Sequence, residues 1–467
     1  MSIPLTREQE AAVRSDAHAL EIRAGAGTGK TTTLVRRVAR HAREGEAARL
    51  QVITFTRDAT ATLARRLSIL LGRDHDVRVS TFHQWAAREL PAGSLRFFDE
   101  RLGRQAVERA LAGASLSLRR SLGSGRDEAA PRVLALLGYL KCTGATLPQA
   151  LAGPYAHLAP WADALSAAQE AYEARKGDAL DFDDLMIRFA EELRRSPSFR
   201  ARVLARLDHL FVDEYQDVNA PQAAIVHALT TGRQAARATV VGDARQSIYG
   251  FRGGAPSHLE GFLAPYGRRG RRLALTVNFR AARRLVQAAN AALPDAHPLR
   301  ARPRAPQGDA PEVLAFPDPE SEAAAVADAV EGWLARGEDP AEIAVLGRAR
   351  HHLAAVADAL AARAATPRAR FAVELPRVAL STIHAAKGLE WNRVVLVGAR
   401  EGGLPSEQAL LAPPPARDAL LAEERRLLYV ALTRARRTFL ATWSPGLRRA
   451  APSRFLHALS PGAAASA

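Results

Sequence analysis

Cysteine occurs once in the 467 residues, at Cys142. A lone thiol excludes an internal disulfide framework and any iron–sulfur or zinc centre built on clustered cysteines. No run of about 18 apolar residues is present, so no segment reads as a bilayer-spanning helix. The amino terminus lacks the basic stretch and apolar core of an export signal, and no short-period repeat is visible. These absences predict a soluble, cytoplasmic protein. Lysine is the other scarcity: of 65 basic residues only Lys30, Lys141, Lys176 and Lys387 are lysine.

What is present is length, apolar content and positive charge. The length exceeds one core and predicts roughly three domains, and 48% of residues are apolar, enough to fill several. A formal charge of +16, spread along the chain, favours an extended polyanion as partner. The pairs Arg268-Arg269, Arg271-Arg272 and Arg283-Arg284 read equally well as solvated faces.

The sharpest local signal is Ala24-Gly25-Ala26-Gly27-Thr28-Gly29-Lys30-Thr31, between the apolar run Ala19 to Ile22 and Leu34, Val35 and Val38 at helical spacing. Glycines where a strand turns into a helix aim backbone N–H groups at phosphate oxygens. Lys30 then reaches the β- and γ-phosphates and the Thr31 hydroxyl can ligate Mg²⁺. A chain that otherwise uses arginine places a lysine here, where a compact, rotatable ammonium fits and a planar guanidinium does not. The second signal, Val212-Asp213-Glu214-Tyr215-Gln216-Asp217, ends the apolar run Leu210-Phe211-Val212. Asp213 is placed to hold the metal and Glu214 to polarise the attacking water. Together the two segments imply a nucleoside triphosphatase.

Short apolar runs recur between helix-like segments, which predicts an α/β fold with parallel sheets flanked by helices. The first set is Ala19–Arg23, Gln51–Phe55, Val77–Ser80, Leu210–Asp213, Thr239–Gly242 and Leu273–Val277. The second is Glu312–Phe316, Ile343–Leu346, Val378–Thr382, Arg393–Val397 and Phe439–Thr442. Two sheets mean two nucleotide-fold domains, only the first with a phosphate loop. From Trp85 to about Asp181 the pattern is helical with no clear strand, an inserted subdomain. Ala291–Gln307 and Ala412–Ala416 read as Pro-rich loops and Pro461–Ala467 as a frayed tail.

Further motifs follow in a fixed order: Leu5-Thr6-Arg7-Glu8-Gln9, Thr54-Phe55-Thr56, Ser80-Thr81-Phe82-His83, Gly242-Asp243-Ala244-Arg245-Gln246-Ser247-Ile248-Tyr249 and Asn278-Phe279-Arg280. Then come Thr382-Ile383-His384-Ala385-Ala386-Lys387-Gly388-Leu389-Glu390 and Tyr429-Val430-Ala431-Leu432-Thr433-Arg434-Ala435. With the phosphate loop and acid pair, this series resembles the UvrD/Rep/PcrA family of superfamily 1A DNA helicases over nearly the whole chain.

The resemblance implies two RecA-like domains with ATP and Mg²⁺ bound between them. It divides the chain into 1–85 with 182–275 as the first domain, 86–181 as a helical insertion, 276–455 as the second domain and 456–467 as a tail. It implies that Gln9 reads the adenine edge, Phe279 stacks on the adenine and Glu390 lies near the ribose. Arg280 and Arg434 are implied arginine fingers on the γ-phosphate, and Gln246 senses that phosphate and couples it to DNA. Phe55, Tyr249 and Phe251 match base-stacking positions, stacking being sequence-tolerant because every base has a π-face. Arg252, His83, His384 and Lys387 match positions near the DNA backbone or the interdomain coupling region. Core packing is the alternative for Phe55 and Phe251, with stacking favoured for Phe251.

Thr32 stands where several relatives carry an arginine near the base, and Phe251 where tryptophan is common. The interval between Arg280 and Thr382 leaves only about 349–377 for the mobile subdomain 2B, too short for a packed domain, and no nuclease domain is expected after the last motif. The expected function is an ATP-dependent 3′→5′ DNA helicase and single-stranded DNA translocase in repair, replication or recombination. It would act on single strands and single-strand–duplex junctions, as a monomer, with a repair or replication protein as partner. An ATP-switched DNA-binding module that does not unwind, or an RNA-directed ATPase, is the alternative.

Overall fold

In the first strand Leu20, Ile22 and Ala24 join one buried cluster and Ala19 another. Alternate residues of a strand face opposite sides, so both faces of this sheet are covered. The computed structural model describes residues 4–44, 49–72, 75–91, 93, 95–112, 118, 129–364, 378–446 and 449–459. One unit holds the chain up to Ala24 with Gly29–Leu275; the other holds Gly25–Thr28 and the chain from Thr276 onward.

The sheet of the first unit contains β1 (Ala19–Ala24), β2 (Leu50–Thr54), β3 (Val77–Thr81), β4 (His209–Val212), β5 (Arg237–Gly242) and β6 (Gly270–Leu275). Its order is β3-β2-β4-β5-β1-β6, with every pairing parallel. One face packs Leu34, Val35 and Val38 of helix Lys30–Glu44 and Leu63 and Leu67 of Arg57–Leu71 on Ile22, Val52 and Phe211. The other packs Phe82, Trp85 and Phe189 on Ile53, Leu210 and Val240. Parallel strands deliver their carboxyl ends to one edge. That edge carries Ala24 at the end of β1, Asp213 after β4 and Asp243 after β5, the usual ligand side of an open α/β sheet.

The insertion is helical among its described residues apart from one isolated bridge between Phe97 and Leu180. Helices Glu100–Ala110, Ala129–Thr143, Leu147–Leu151 and Ala162–Lys176 bury a core of their own around Val107, Val133, Leu136, Leu140 and Leu165. At its base Phe98 N donates to Leu180 O (2.8 Å) and Leu180 N to Arg96 O (2.7 Å).

In the second unit the two-residue strands β7 (Val277–Asn278) and β8 (Arg300–Ala301) pair in parallel. The expected Pro-rich loop Ala291–Gln307 is thus not loop throughout: Arg300 N and Arg302 N donate to Thr276 O (2.8 Å) and Asn278 O (2.9 Å). The main sheet contains β9 (Glu312–Ala315), β10 (Ile343–Gly347), β11 (Ala379–Thr382), β12 (Trp391–Val397) and β13 (Ala435–Trp443), parallel in order β11-β10-β12-β13-β9. Of the connection near 349–377, helix His351–Ala364 is described. Residues 365–377, and the tail from 460, lie outside the described residues. Among those described, no helix is long and apolar enough to cross a membrane.

Candidate functional site

Between β1 and helix Lys30–Glu44 the chain turns on Gly27 (φ +69°) and Gly29 (φ +82°), a left-handed backbone that glycine adopts without the Cβ penalty. A Cβ on Gly29 would lie 2.7 Å from Gln9 Nε2, so Gln9 stands directly over the loop. Gln9 is fixed there by a reciprocal cap: its Oε1 accepts Thr6 N (3.0 Å) and Thr6 Oγ1 accepts Gln9 N (3.1 Å). Thr28 Oγ1 donates to Gly25 O (2.8 Å), closing the loop on itself. Lys30 folds its ammonium back onto Ala24 O (3.2 Å), and Thr31 follows at the open start of the helix.

Asp213 follows β4 and is buried, its Oδ1 accepting Glu214 N at 3.0 Å. Glu214 sits at φ 50°, ψ 41°, a left-handed conformation unusual for a side chain of this size. Burial, and then the neighbouring Glu214 charge, pushes the Asp213 carboxyl up to about 7 against the pull of the Lys30 ammonium. A buried carboxyl beside a second acid is relieved by a cation. Hard oxygen donors, a single buried aspartate and a hydroxyl at Thr31 fit Mg²⁺, which takes one or two carboxylates and otherwise water and phosphate oxygens. Among the described residues no three His, Cys, Asp or Glu side chains gather as a metal-ligating group, so no protein-only cage competes with that reading.

Gln216 lies in the acid motif but was given no role from sequence, and it ties the site together. Fully buried, it donates through Nε2 to Glu214 Oε2 (2.6 Å) and accepts Asp243 N at Oε1 (3.0 Å). Asp243 in turn accepts Gln246 Nε2 at 2.8 Å, and Ser247 Oγ donates to Gln216 O at 3.0 Å. The base candidate Glu214 and the sensor candidate Gln246 therefore share one hydrogen-bonded chain at the ends of β4 and β5. The signal available in sequence was the amide two residues beyond Glu214, the one amide among the acids there. A Cβ on Gly242 would lie 2.5 Å from Gln216 Oε1, so that glycine makes room for the amide.

In the second unit Asn278 Nδ2 donates to Ala26 O (2.7 Å) and Phe279 N to Gly27 O (2.8 Å), while the Phe279 ring stays 38% exposed, free to offer a face. Arg280 is ion-paired with Glu390 and donates to Thr433 O (3.1 Å). Glu390 also pairs with Arg436 at 2.8 Å. Burial would raise the Glu390 carboxyl, but Arg280 and Arg436 outweigh it and hold it below its ordinary value. Arg434 is buried, donating to Val430 O (3.0 Å), Leu389 O (3.1 Å) and Thr433 Oγ1 (3.1 Å). The structure thus gathers Arg280, Glu390 and the Thr433-Arg434 turn. His384 and Lys387 lie in the turn after β11 (Lys387 N to His384 O, 3.3 Å).

Of the aromatic candidates, Tyr249 and Phe251 are in ring contact (6.0 Å between centroids, 61°), and the Arg252 guanidinium lies 5.8 Å from the Phe251 ring centre. Phe251 is 44% exposed, which decides against the core reading for it. Phe55 is half-buried edge-on to Phe82 (6.4 Å) against the main core, so packing accounts for much of its ring.

The family model for the UvrD/REP helicase N-terminal domain matches residues 5–266, and that for the UvrD-like helicase C-terminal domain matches 366–445. The chain belongs to the UvrD/REP helicase family. ATP-dependent DNA helicase UvrD2 of Mycobacterium tuberculosis (strain ATCC 25618 / H37Rv) is 30% identical to this helicase over 592 residues, spanning 98% of this chain and 82% of that protein. The aligned span exceeds the 467 residues here, so that relative carries insertions this helicase lacks. DNA helicase IV of Escherichia coli (strain K12) is 29% identical over 93% of this chain and 67% of its own length. ATP-dependent DNA helicase PcrA of Leuconostoc citreum is 29% identical over 62% and 39%.

Two more exposed aromatics of the helicase adjoin a candidate DNA residue. Phe182 (55% exposed) contacts His83 at 6.0 Å and Phe97 (51% exposed) at 6.3 Å, and sequence alone did not distinguish either from core residues. Burial lowers the His83 imidazole below its ordinary value, so it is a neutral donor or acceptor at neutral pH. For Gln216→Leu, turnover is expected to fall by roughly ten- to a hundredfold, as when groups that orient catalytic residues are lost. Nucleotide binding should persist, and ATPase rates beside a fluorescent-nucleotide titration separate the two.

Proposed function

We propose that this UvrD/REP-family helicase is an ATP-driven 3′→5′ translocase on single-stranded DNA that opens duplex at single-strand–duplex junctions, in repair, replication or recombination. The observation that carries the reading is the bonded chain Glu214–Gln216–Asp243–Gln246, which runs three residues on into the Tyr249-Phe251-Arg252 cluster. A change at the hydrolysed phosphate has a short covalent and hydrogen-bonded route to a base-stacking surface.

The loop amides and Lys30 bind the phosphates, with Gln9 and Phe279 holding the adenine. Bound through Thr31 and Asp213, Mg²⁺ would neutralise charge on the β- and γ-phosphate oxygens. Glu214 accepts a proton from the attacking water, held in position by Gln216. Arg280 and Arg434 neutralise charge on the γ-phosphate, with Glu390 orienting Arg280. For Arg434 this requires exchanging carbonyl partners for phosphate. Tyr249 and Phe251 stack bases while Arg252, Lys387, His83 and His384 meet the backbone, so grip alternates with nucleotide state.

Strand displacement on paired 3′-tailed and 5′-tailed duplexes with ATP tests this. Displacement confined to the 3′-tailed substrate is expected; displacement from the 5′ tail would overturn the polarity. Apparent DNA affinity should fall with salt at a slope of about −0.7 per phosphate contacted. The insertions present in UvrD2 and missing here favour a second reading, an ATP-switched DNA module that translocates without displacement. Single-strand translocation on a displacement-negative protein would select it.

A further inference from the structure

Two of the four lysines have no part in the site above, and both lie in one cluster at the root of the helical insertion. Lys141 Nζ reaches Asp181 (2.5 Å), Asp184 (2.9 Å) and Glu173 (3.1 Å); Lys176 Nζ reaches Asp184 and Glu173, both at 2.6 Å. Tyr172 OH donates to Asp181 at 2.9 Å. Asp181 and Asp184 are themselves fixed, as the reciprocal cap of helix Phe182–Arg195 (Asp184 N to Asp181 2.8 Å, Asp181 N to Asp184 3.1 Å). An ammonium can donate in three directions to carboxylates converging from different elements, which a planar fork cannot. Burial would lower the Lys141 ammonium, but the carboxylates outweigh it and raise it, so it stays charged.

Lys141 stands next to Cys142, and Cys142 touches the segment bearing the DNA aromatics. A Cβ on Gly253 (φ +74°) would lie 2.9 Å from Cys142 Cβ and 3.0 Å from its carbonyl carbon and oxygen. Asn219 donates to Cys142 Sγ at 3.2 Å, and Sγ donates to Asp183 at 3.4 Å. Helix Ala129–Thr143 packs against Gly250–Arg252. The end of this helix is therefore a platform, clamped on one side by carboxylates of the Phe182–Arg195 cap and carrying the track segment on the other.

We propose that Lys141 is a positioning residue for DNA, fixing the platform that sets Tyr249, Phe251 and Arg252 at their stacking geometry. This rests on the DNA-translocase reading. The test is ATPase rate against oligo(dT) concentration. Lys141→Met is expected to raise the concentration for half-maximal stimulation roughly tenfold, with basal rate and saturated rate near wild type. Lys176→Met disturbs the same ionic cluster from helix Ala162–Lys176 and is the stability control: its thermal midpoint should fall while the half-point stays within about twofold. An unchanged half-point in Lys141→Met, or equal shifts in both variants, overturns the proposal. Should Lys141→Met not fold, Cys142→Ala leaves the carboxylate cluster intact and removes the Sγ contacts. Its half-point should rise roughly threefold or more, and no rise overturns the proposal equally. A wild-type chain unresponsive to DNA refutes the functional reading, and this inference with it.

Discussion

Lys30→Ala is expected to lose roughly 10³-fold in ATP turnover while binding single-stranded DNA nearly as tightly as wild type. Lys30 is the one cation in the phosphate loop, and its ammonium rests on a single carbonyl, Ala24 O at 3.2 Å. Removing that bond costs the fold only about 1 kcal/mol, so the variant should remain folded. What would disappear is the one cation of the loop, in a site whose neighbouring acids, Asp213 and Glu214, would otherwise repel phosphate. Lys30 also restrains the rise of the Asp213 carboxyl, so its removal leaves only the Glu214 N hydrogen bond against burial and the Glu214 charge and drives that carboxyl further up. Lys30→Arg should fail nearly as badly, because a planar guanidinium cannot replace a compact, rotatable ammonium and bonds in a plane. Phosphate release with and without oligo(dT), beside DNA anisotropy, measures both halves. Turnover within tenfold of wild type would remove Lys30 from its assigned role.

The alternation of strands and helices was legible because parallel strands covered on both faces read as short, continuous apolar runs. Leu210-Phe211-Val212 and Ile343–Leu346 need no context to be recognised. The pairing of β7 with β8 was hidden because Arg300 and Ala301 form no apolar run, and their partners, Val277 and Asn278, lie more than twenty residues earlier. Within the site, the loop at Gly27 and Gly29 and the acid pair at the end of β4 were legible from glycine spacing and acid position. Gln216 was not, because its importance comes from being buried between the ends of two strands that sequence does not show to be neighbours through it. The same holds for the lysine cluster. Lys141 and Lys176 stood out as rare, yet only the fold brings helix ends 35 residues apart onto one aspartate pair. Phe97 and Phe182 carry the inverse lesson: an aromatic is read as core until its exposure is known.

Glu214→Gln should abolish turnover by a different route from Lys30→Ala, and the contrast between the two is informative. The substitution is isosteric, and the left-handed backbone at φ 50° is no more strained for Gln than for Glu. Gln216 Nε2 still finds an acceptor, since the new amide oxygen can occupy the place of Glu214 Oε2, now 2.6 Å away. The chain through Asp243 to Gln246 should therefore survive, and with it the connection to Tyr249 and Phe251. Only the ability to take a proton from water is lost, worth roughly 10²–10⁴-fold in rate. The phosphates and their loop contacts are untouched and one repelling charge is gone, so nucleotide should bind at least as tightly as in wild type. DNA binding should then be locked in its ATP-bound grip, whereas Lys30→Ala should show no nucleotide effect on DNA at all. Single-turnover hydrolysis with DNA anisotropy in the presence and absence of ATP distinguishes the two variants. DNA-stimulated ATPase retained in Glu214→Gln would show that another group takes the proton, and Asp217, whose Oδ2 lies 3.4 Å from the same Gln216 amide, would become the first residue to replace.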